Sequence, residues 1–142
     1  MRKLSLLSAT IIVFASFALY AVAPTDFKMK LPISIGQDAQ TALGEKSAED
    51  VPVLVRISES GISGFDYDDL AADGSDLVFG VDDGSTITVY PHEIDTWNSE
   101  GESLVWVKVP ELSASTAFNM YYGNGVSGGA TASSTWSNYT GV

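Results

Sequence analysis

Short runs of alternating apolar and polar residues, separated by turn signals, fill the chain after residue 24 and constrain its fold more than any other feature. The clearest run is 104–110, in which Val105, Val107 and Val109 form one face that is predicted to point inward. Lys108 is expected to mark the wetter, opposite face. No helical periodicity of useful length appears beyond the N-terminal region. The pattern therefore predicts an all-β fold, specifically an antiparallel β-sandwich of jelly-roll-like form.

Further strands are predicted from the same period of two. Pro32 lies within the first of them and cannot donate to a ladder, so that strand is expected at a sheet edge or a bulge. The connection before the second strand is expected to hold a short helical turn around residues 39–43. The predicted strands cover residues 27–35, 51–57, 76–79, 86–90, 93–97, 104–110 and 117–122.

The N-terminus has the form of an export segment. Arg2 and Lys3 precede an uncharged apolar run over residues 4–23 that ends in Ala-Val-Ala, which is typical of a signal peptide. Pro24 would follow the cut directly and impede it, and a run of this length also spans a bilayer, so an uncleaved membrane anchor stays an alternative. We expect a signal or anchor helix at 1–23, a β-sandwich domain at 24–126 and a Gly/Ser/Thr-rich segment at 127–142 that leads toward a downstream domain.

Charge and cysteine content exclude several classes of protein. The net charge is −11, and Arg2 and Lys3 account for two of the 7 basic residues against 18 acidic ones. Nucleic acid is excluded as a partner because phosphates require clustered Lys and Arg, and contact with a membrane is expected only through an uncleaved N-terminal segment. With no cysteine there is neither a disulfide nor a thiolate site. The expected complements of the acidic surface are cations or neutral glycans.

Aspartates crowd the segment 66–76. Carboxylates are the ligands that Ca²⁺ prefers, and the candidate metal ligands are Asp66, Asp68, Asp73 and Asp76. The spacing does not match an EF-hand loop, however. Aspartates that cap turns explain the same pattern, so no cofactor is assigned and Ca²⁺ stays an alternative.

Aromatic and amide side chains near predicted turns supply a second candidate site. Trp97 lies at a strand end, and one of the neighbours Tyr121 and Tyr122 is expected to face outward because adjacent strand residues point to opposite sides. Flat rings beside Asn98 or Asn124 would suit a sugar ring, although core packing accounts for aromatics equally well. The candidate ligand-binding residues are Trp97, Asn98, Tyr121, Tyr122 and Asn124.

No catalytic constellation is present in the sequence. His92, the single histidine, stands beside Glu93, and adjacent strand residues point apart, so His92 is interpreted as structural or solvated. Two carboxylates at a suitable separation would be needed for glycoside hydrolysis, and sequence does not show a separation. We therefore expect a protein that is not an enzyme.

Several blocks in a fixed order resemble the domain-of-unknown-function-2341 family. The blocks are ADGSDLVF at 72–79, DDGST at 82–86, EIDTWN at 93–98, SLVWVKVPELS at 103–113 and MYYGN at 120–124, and VPVLVRIS at 51–58 is similar to the family's opening segment. The resemblance covers roughly residues 27–139. It implies a bacterial or archaeal extracellular or envelope module, often followed by a concanavalin-A-like, laminin-G-type domain, and it implies no catalytic residue.

Together these features predict an exported, non-catalytic module at the cell surface, in the periplasm or outside the cell. Its expected role is recognition, with carbohydrate as the best-fitting ligand and a glycan or an envelope protein as partner. A purely structural or assembly module is the alternative, and a fragment of a glycan-active enzyme is the third reading.

Overall fold

A computed structural model describes residues 22–125 and 135–136 of the chain. The predicted export segment and most of the C-terminal segment lie outside the described residues. Across the described ranges, every helix is too short or too polar to cross a membrane.

Seven strands and one short helix make up the described chain, in agreement with the all-β prediction. Single 3₁₀ turns at Pro24–Asp26 and Tyr67–Asp69 accompany them. In chain order the elements are β1 (Met29–Ser34), α1 (Gln37–Leu43), β2 (Ser47–Ile57), β3 (Val78–Asp82), β4 (Ile87–Tyr90), β5 (His92–Thr96), β6 (Ser103–Ser113) and β7 (Ala117–Tyr122).

The strands form two antiparallel sheets, a four-stranded sheet in the order β1-β7-β3-β4 and a three-stranded sheet in the order β2-β6-β5. The last two strands are inserted between earlier ones, because β7 separates β1 from β3 and β6 separates β2 from β5. The two long strands β2 and β6 pair over nearly their whole length, from Ser47 opposite Ser113 to Ile57 opposite Ser103. A kink at Asp50, with φ of 56°, interrupts this ladder.

Side chains from both sheets fill one common core, which makes the fold β-sandwich-like. Val105, Val107 and Val109 point inward as predicted and meet the four-stranded sheet through Phe118 and Met120. Alternation along each strand produces this face, because every second side chain points to the same side of a sheet. Phe27, Val78, Ile87 and Tyr121 form a second cluster, with Val22 packed against it.

Lys108 corrects one prediction about β6. Lys108 is only 8% exposed, although its side chain lies on the face that was expected to contact solvent. Its ammonium group lies 3.8 Å from the Asp50 carboxylate. The same outer face is partly covered at Trp106, whose ring packs 5.5 Å from that of Trp136. Alternation identifies which face a side chain takes, but not what covers that face.

Candidate functional site

Three connections meet at one end of the two sheets and carry most of the residues predicted to bind a ligand. They are residues 58–77 between β2 and β3, residues 97–102 between β5 and β6, and residues 123–125 after β7. We call them the loop end. The Tyr67 hydroxyl ties this end together, because it hydrogen-bonds to the Ile57 carbonyl oxygen and to the Ser103 hydroxyl at 2.9 Å each. Loops held by a rigid sheet scaffold are common places for binding sites.

Trp97 is half-buried at the loop end and is fixed on several sides. Its indole Nε1 donates to the Ala72 carbonyl oxygen at 2.9 Å, and its ring meets that of Tyr67 nearly at right angles, with centroids 5.3 Å apart. The ring also lies against Gly74, where an added Cβ would be 2.6 Å from Trp97 Cζ3. Gly74 has φ of 69°, so this position requires glycine both for the turn and for the ring contact.

Two shallow depressions flank Tyr67 and Ser99, which line both of them. The first, which we call the Trp97 depression, has a volume of about 240 Å³. Its walls are Trp97, Tyr67, Asp68, Leu70, Ala71, Ala72 and Ser99.

The second, which we call the Glu59 depression, has a volume of about 260 Å³. Glu59, Ser60, Glu100 and Gly101 complete its walls. The charged side chains that line the two depressions, in the described part of the chain, are carboxylates.

The two predicted amides lie at the loop end but do not line either depression. Asn98 is exposed, and its Oδ1 accepts from the Glu100 amide at 3.2 Å, so it stabilises its own turn. Asn124 is half-buried and follows Gly123, on the side of the loop end where Gly123 packs against Lys28 and the Asp69 carbonyl oxygen. Of the five predicted ligand-binding residues, Trp97 is thus the one that lines either of these two depressions.

Tyr121 and Tyr122 correct the prediction that one of them faces outward, because both are 0% exposed. They do point to opposite sides of β7, as alternation requires. Tyr122 enters the common core, and Tyr121 enters the second cluster, where Phe27 covers it with ring centroids 5.6 Å apart. The residues that precede β1 therefore bury the face that was expected to be open.

The hydroxyl groups of these two tyrosines differ in their surroundings. Tyr121 donates to Asp82, and burial, followed by that carboxylate, raises its pKa above the ordinary value. No described atom hydrogen-bonds to the buried Tyr122 hydroxyl. Burial, with the charges of Asp69 and Asp66, raises the pKa of Tyr122 to about 12. Both residues therefore have buried, structural positions and line neither depression.

The four predicted metal ligands do not converge on a common point. Asp66 caps the Asp68 amide at 2.9 Å and Asp73 caps the Ser75 amide at 3.0 Å. The Ser75 hydroxyl and amide hold the pKa of Asp73 below its usual range. Within the described residues, no group of three or more carboxylate or histidine side chains could hold a metal ion.

Asp76 is buried, with 1% exposed, and joins two segments of the loop end. Its carboxylate accepts from the Ala71 amide at 2.9 Å and from the Gly123 amide at 3.1 Å. These contacts, with those of Asp66 and Asp73, satisfy turn-forming backbone groups, which was the alternative reading of the aspartates.

His92 lies inside the core and not at the loop end. It is 1% exposed, its ring packs 5.1 Å from that of Phe79, and neither ring nitrogen has a hydrogen-bond partner among the described atoms. Burial lowers the pKa of His92 more than the nearby Tyr90 backbone raises it, so the neutral ring is favoured. The structural reading of His92 is the one that fits this position.

Comparison with known protein families gives a match for part of the chain. Searches of the curated proteins and of the solved structures found no match. A family match covers residues 73–138, which include Trp97, Ser99 and Glu100 of the two depressions as well as strands β3 to β7. The strand at 51–58 and the first strand lie outside the matched region. Residues 73–138 match the model of the family described as a domain of unknown function (DUF2341), the family that the ordered sequence blocks resemble.

Proposed function

We propose that this chain is an exported, non-catalytic recognition module that binds neutral carbohydrate at the loop end. The observation that carries the proposal is the half-buried ring of Trp97, which forms one wall of a depression beside Asp68 and Ser99. A sugar ring presents apolar C–H groups on its faces and hydroxyl groups at its edge. The aromatic wall can stack on the apolar face of the sugar, and the nearby carboxylate and hydroxyl oxygens can accept hydrogen bonds from its hydroxyl groups.

Rigidity of the aromatic wall supports this proposal. The bond from Trp97 Nε1 to Ala72 and the contact with Gly74 fix the indole before a ligand arrives. A side chain that is already ordered loses little conformational entropy on binding, so more of the stacking energy contributes to affinity.

Charge narrows the class of carbohydrate. Asp68 lies at one depression, and Glu59 and Glu100 lie at the other. These carboxylates accept hydrogen bonds from sugar hydroxyl groups but repel uronic acids, sialic acids and sulfated sugars. Neutral oligosaccharides that extend from the Trp97 depression across Ser99 into the Glu59 depression fit best.

Binding is proposed instead of hydrolysis because the sequence contains no catalytic constellation. A glycosidase needs a carboxylic acid that keeps its proton, with a raised pKa. The described carboxyl groups with displaced pKa values have lowered ones and line neither depression. Hydrogen bonds are the leading cause at each: Ser75 for Asp73, Lys30 for Asp82, Ser85 for Asp83 and Arg56 for Glu102. The buried His92 supplies no accessible base.

The strand order and the N-terminal sequence support two further parts of the proposal, a jelly-roll-like fold and export. We propose a jelly-roll-like arrangement, which the insertion of β7 between β1 and β3 and of β6 between β2 and β5 supports. We propose that residues 1–23 direct export and that the module works at the cell surface, in the periplasm or outside the cell. The positive start and apolar run of the N-terminus support this.

An oligosaccharide array that contains neutral and anionic glycans tests the proposal. We expect signals confined to neutral glycans, weakened about tenfold in Trp97→Ala by the loss of stacking. Because Trp97 also packs against the core, Asp68→Asn and Ser99→Ala serve as variants that keep the fold. Asp38→Asn, an exposed change in α1, is the matched control and should bind as the parent does. If no glycan binds, or if Asp38→Asn weakens binding as much as Asp68→Asn, the purely structural or assembly role replaces this proposal.

A further inference from the structure

A groove opens between the two sheets along the free edges of β1 and β2. Its volume is about 470 Å³, within the range of roughly 300–1,000 Å³ that is usual for ligand pockets. Leu31 and Ile33 of β1 lie on one side and Val53 of β2 on the other. Phe118 and Met120, which belong to the common core, form part of its lining, so the groove reaches into the interior. We call it the edge groove.

Helix α1 borders the edge groove at one side. Ala39 and Leu43, four residues apart and therefore on one helical face, line it. The Gln40 side-chain amide donates to the Ile35 carbonyl oxygen at 2.6 Å and holds the helix against the end of β1. Ala42, on the same helix, is exposed and does not line the groove.

The free edges of β1 and β2 are poor templates for an added strand. Within residues 22–125 and 135–136, no strand pairs with the outer side of either. Each contains a proline, Pro32 in β1 and Pro52 in β2. A proline removes one N–H group from an exposed edge and interrupts the ladder that an incoming strand would form. An occupant that depends on backbone pairing is therefore disfavoured.

Polar ligands also find few partners in the edge groove. Its lining is mainly aliphatic, and the polar side chains among the described lining residues are Ser34 and Arg56. Arg56 is engaged elsewhere, because its Nε and Nη2 donate to the Glu102 carboxylate at 3.0 and 2.6 Å. A sugar or a peptide backbone buried here would lose hydrogen bonds to water without replacement.

Charge around the edge groove selects among amphiphiles. The exposed acidic residues of α1, the following turn and the start of β2 are Asp38, Glu45 and Glu49, with Glu111 opposite Glu49 on β6. Lys46 is the basic residue among them, and Arg56 is paired. An anionic headgroup at the mouth would be repelled, whereas an uncharged or a cationic one would not.

We propose that the edge groove binds the aliphatic chain of an uncharged or cationic amphiphile. The aliphatic lining that extends to Phe118 and Met120 receives the chain, and the headgroup stays in water beside the acidic surface. The proposal is independent of carbohydrate binding, because the edge groove and the loop-end depressions share no lining residue.

Calorimetric titration tests amphiphile binding in the edge groove, with three dodecyl compounds that are each used below the critical micelle concentration. The probes are octaethylene glycol monododecyl ether, dodecyltrimethylammonium and dodecanoate. We expect the first two to bind and dodecanoate to bind at least about tenfold more weakly. Ala39→Trp, which fills the groove, should weaken the first two about tenfold or more, the effect of losing burial of roughly two methylene groups. Ala42→Trp adds the same ring outside the groove and should bind within about twofold of the parent.

Circular dichroism and thermal melting establish that both variants fold. Absence of binding by every dodecyl compound would overturn the proposal, and so would an equal loss in Ala39→Trp and Ala42→Trp. Sedimentation of the parent protein without probe tests whether a second copy of the chain occupies the groove instead. A dimer that Ala39→Trp dissociates would assign the edge groove to a second copy of the chain and would also overturn the proposal.

Discussion

Replacement of His92 by leucine should remove an acid-sensitive step in the stability of this protein. The ring is buried without a hydrogen-bond partner among the described atoms, and burial lowers its pKa from the ordinary value of 6.5. The neutral form is therefore the one that the folded state accommodates. Stability from this residue is complete above pH 6.5 and is lost as the pH falls from there toward the pKa of the folded state.

The size of the effect follows from proton linkage. Between the two pKa values the unfolded chain binds one proton that the folded chain does not, so the free energy of unfolding falls by about 1.4 kcal/mol per pH unit. For a domain of this size that loss corresponds to roughly 5–10 °C in melting temperature per pH unit. Below the folded pKa both states carry the proton and the slope ends.

Urea unfolding of the parent and of His92→Leu across this pH range measures the slope directly. The four carboxyl groups with displaced pKa values do not interfere, because Asp73, Asp82, Asp83 and Glu102 have lowered pKa values and lose their contributions only below their ordinary values of 3.8 and 4.5. We expect the free energy of unfolding of the parent to fall as the pH drops below 6.5, and that of the variant to stay level over the same range. Parallel profiles would refute the reasoning, since some other group would then take up the proton.

Four other changes test the packing of the loop end and of β7. Tyr122→Phe should raise the free energy of unfolding by about 1 kcal/mol, because it removes a buried hydroxyl without a described partner. Tyr121→Phe should lower it by about 1 kcal/mol, because it removes the hydrogen bond to Asp82, and urea unfolding measures both changes. Gly74→Ala should cost about 1–2 kcal/mol and shift the emission of Trp97, since its Cβ would strike the indole. Asp76→Ala should cost about 2–3 kcal/mol in thermal melts by leaving two amides without an acceptor, and an unchanged melting temperature would contradict that role.

Local alternation was enough to predict most of the strands and the inward face of β6. The strand over Ala117–Tyr122 has the predicted bounds, and β2 and β6 extend further than predicted, to Ser47–Ile57 and Ser103–Ser113. Pro32 lies in an edge strand as expected, since it cannot donate to a central ladder. These features depend on neighbouring residues, which is why the sequence was sufficient.

Burial of the outer faces of the sheets could not be predicted, because the side chains that bury them come from segments distant in sequence. Tyr121 is buried by Phe27, far away in sequence, and the outer face of the three-stranded sheet near Trp106 is covered by Trp136. The candidate site was predictable only in part for the same reason. Trp97 was singled out by its place at a strand end, but the walls of its depression come from the 67–72 segment.

The edge groove gave no sequence signal, because it arises where the edges of two sheets fail to close. Most of the residues that line it were predicted as strand residues, and Ala39 and Leu43 were predicted in a short helical turn; the structure places them in these elements. Carboxylates that cap their own turns likewise have the same local pattern as metal ligands. Their direction in space distinguishes the two, and the sequence does not contain it.

The insertion of β6 and β7 between earlier strands has a consequence for the timing of folding. β2 pairs with β6 and β1 pairs with β7, so β2 has no strand partner until the chain reaches Ser113 and β1 has none until it reaches Tyr122. Contacts over such long sequence separations form late and slowly. During synthesis the β3–β4 and β5–β6 pairs can form from neighbouring segments, whereas β1 and β2 stay unpaired until distant strands emerge, so a chain cut short before β6 would leave two strand edges open to other chains.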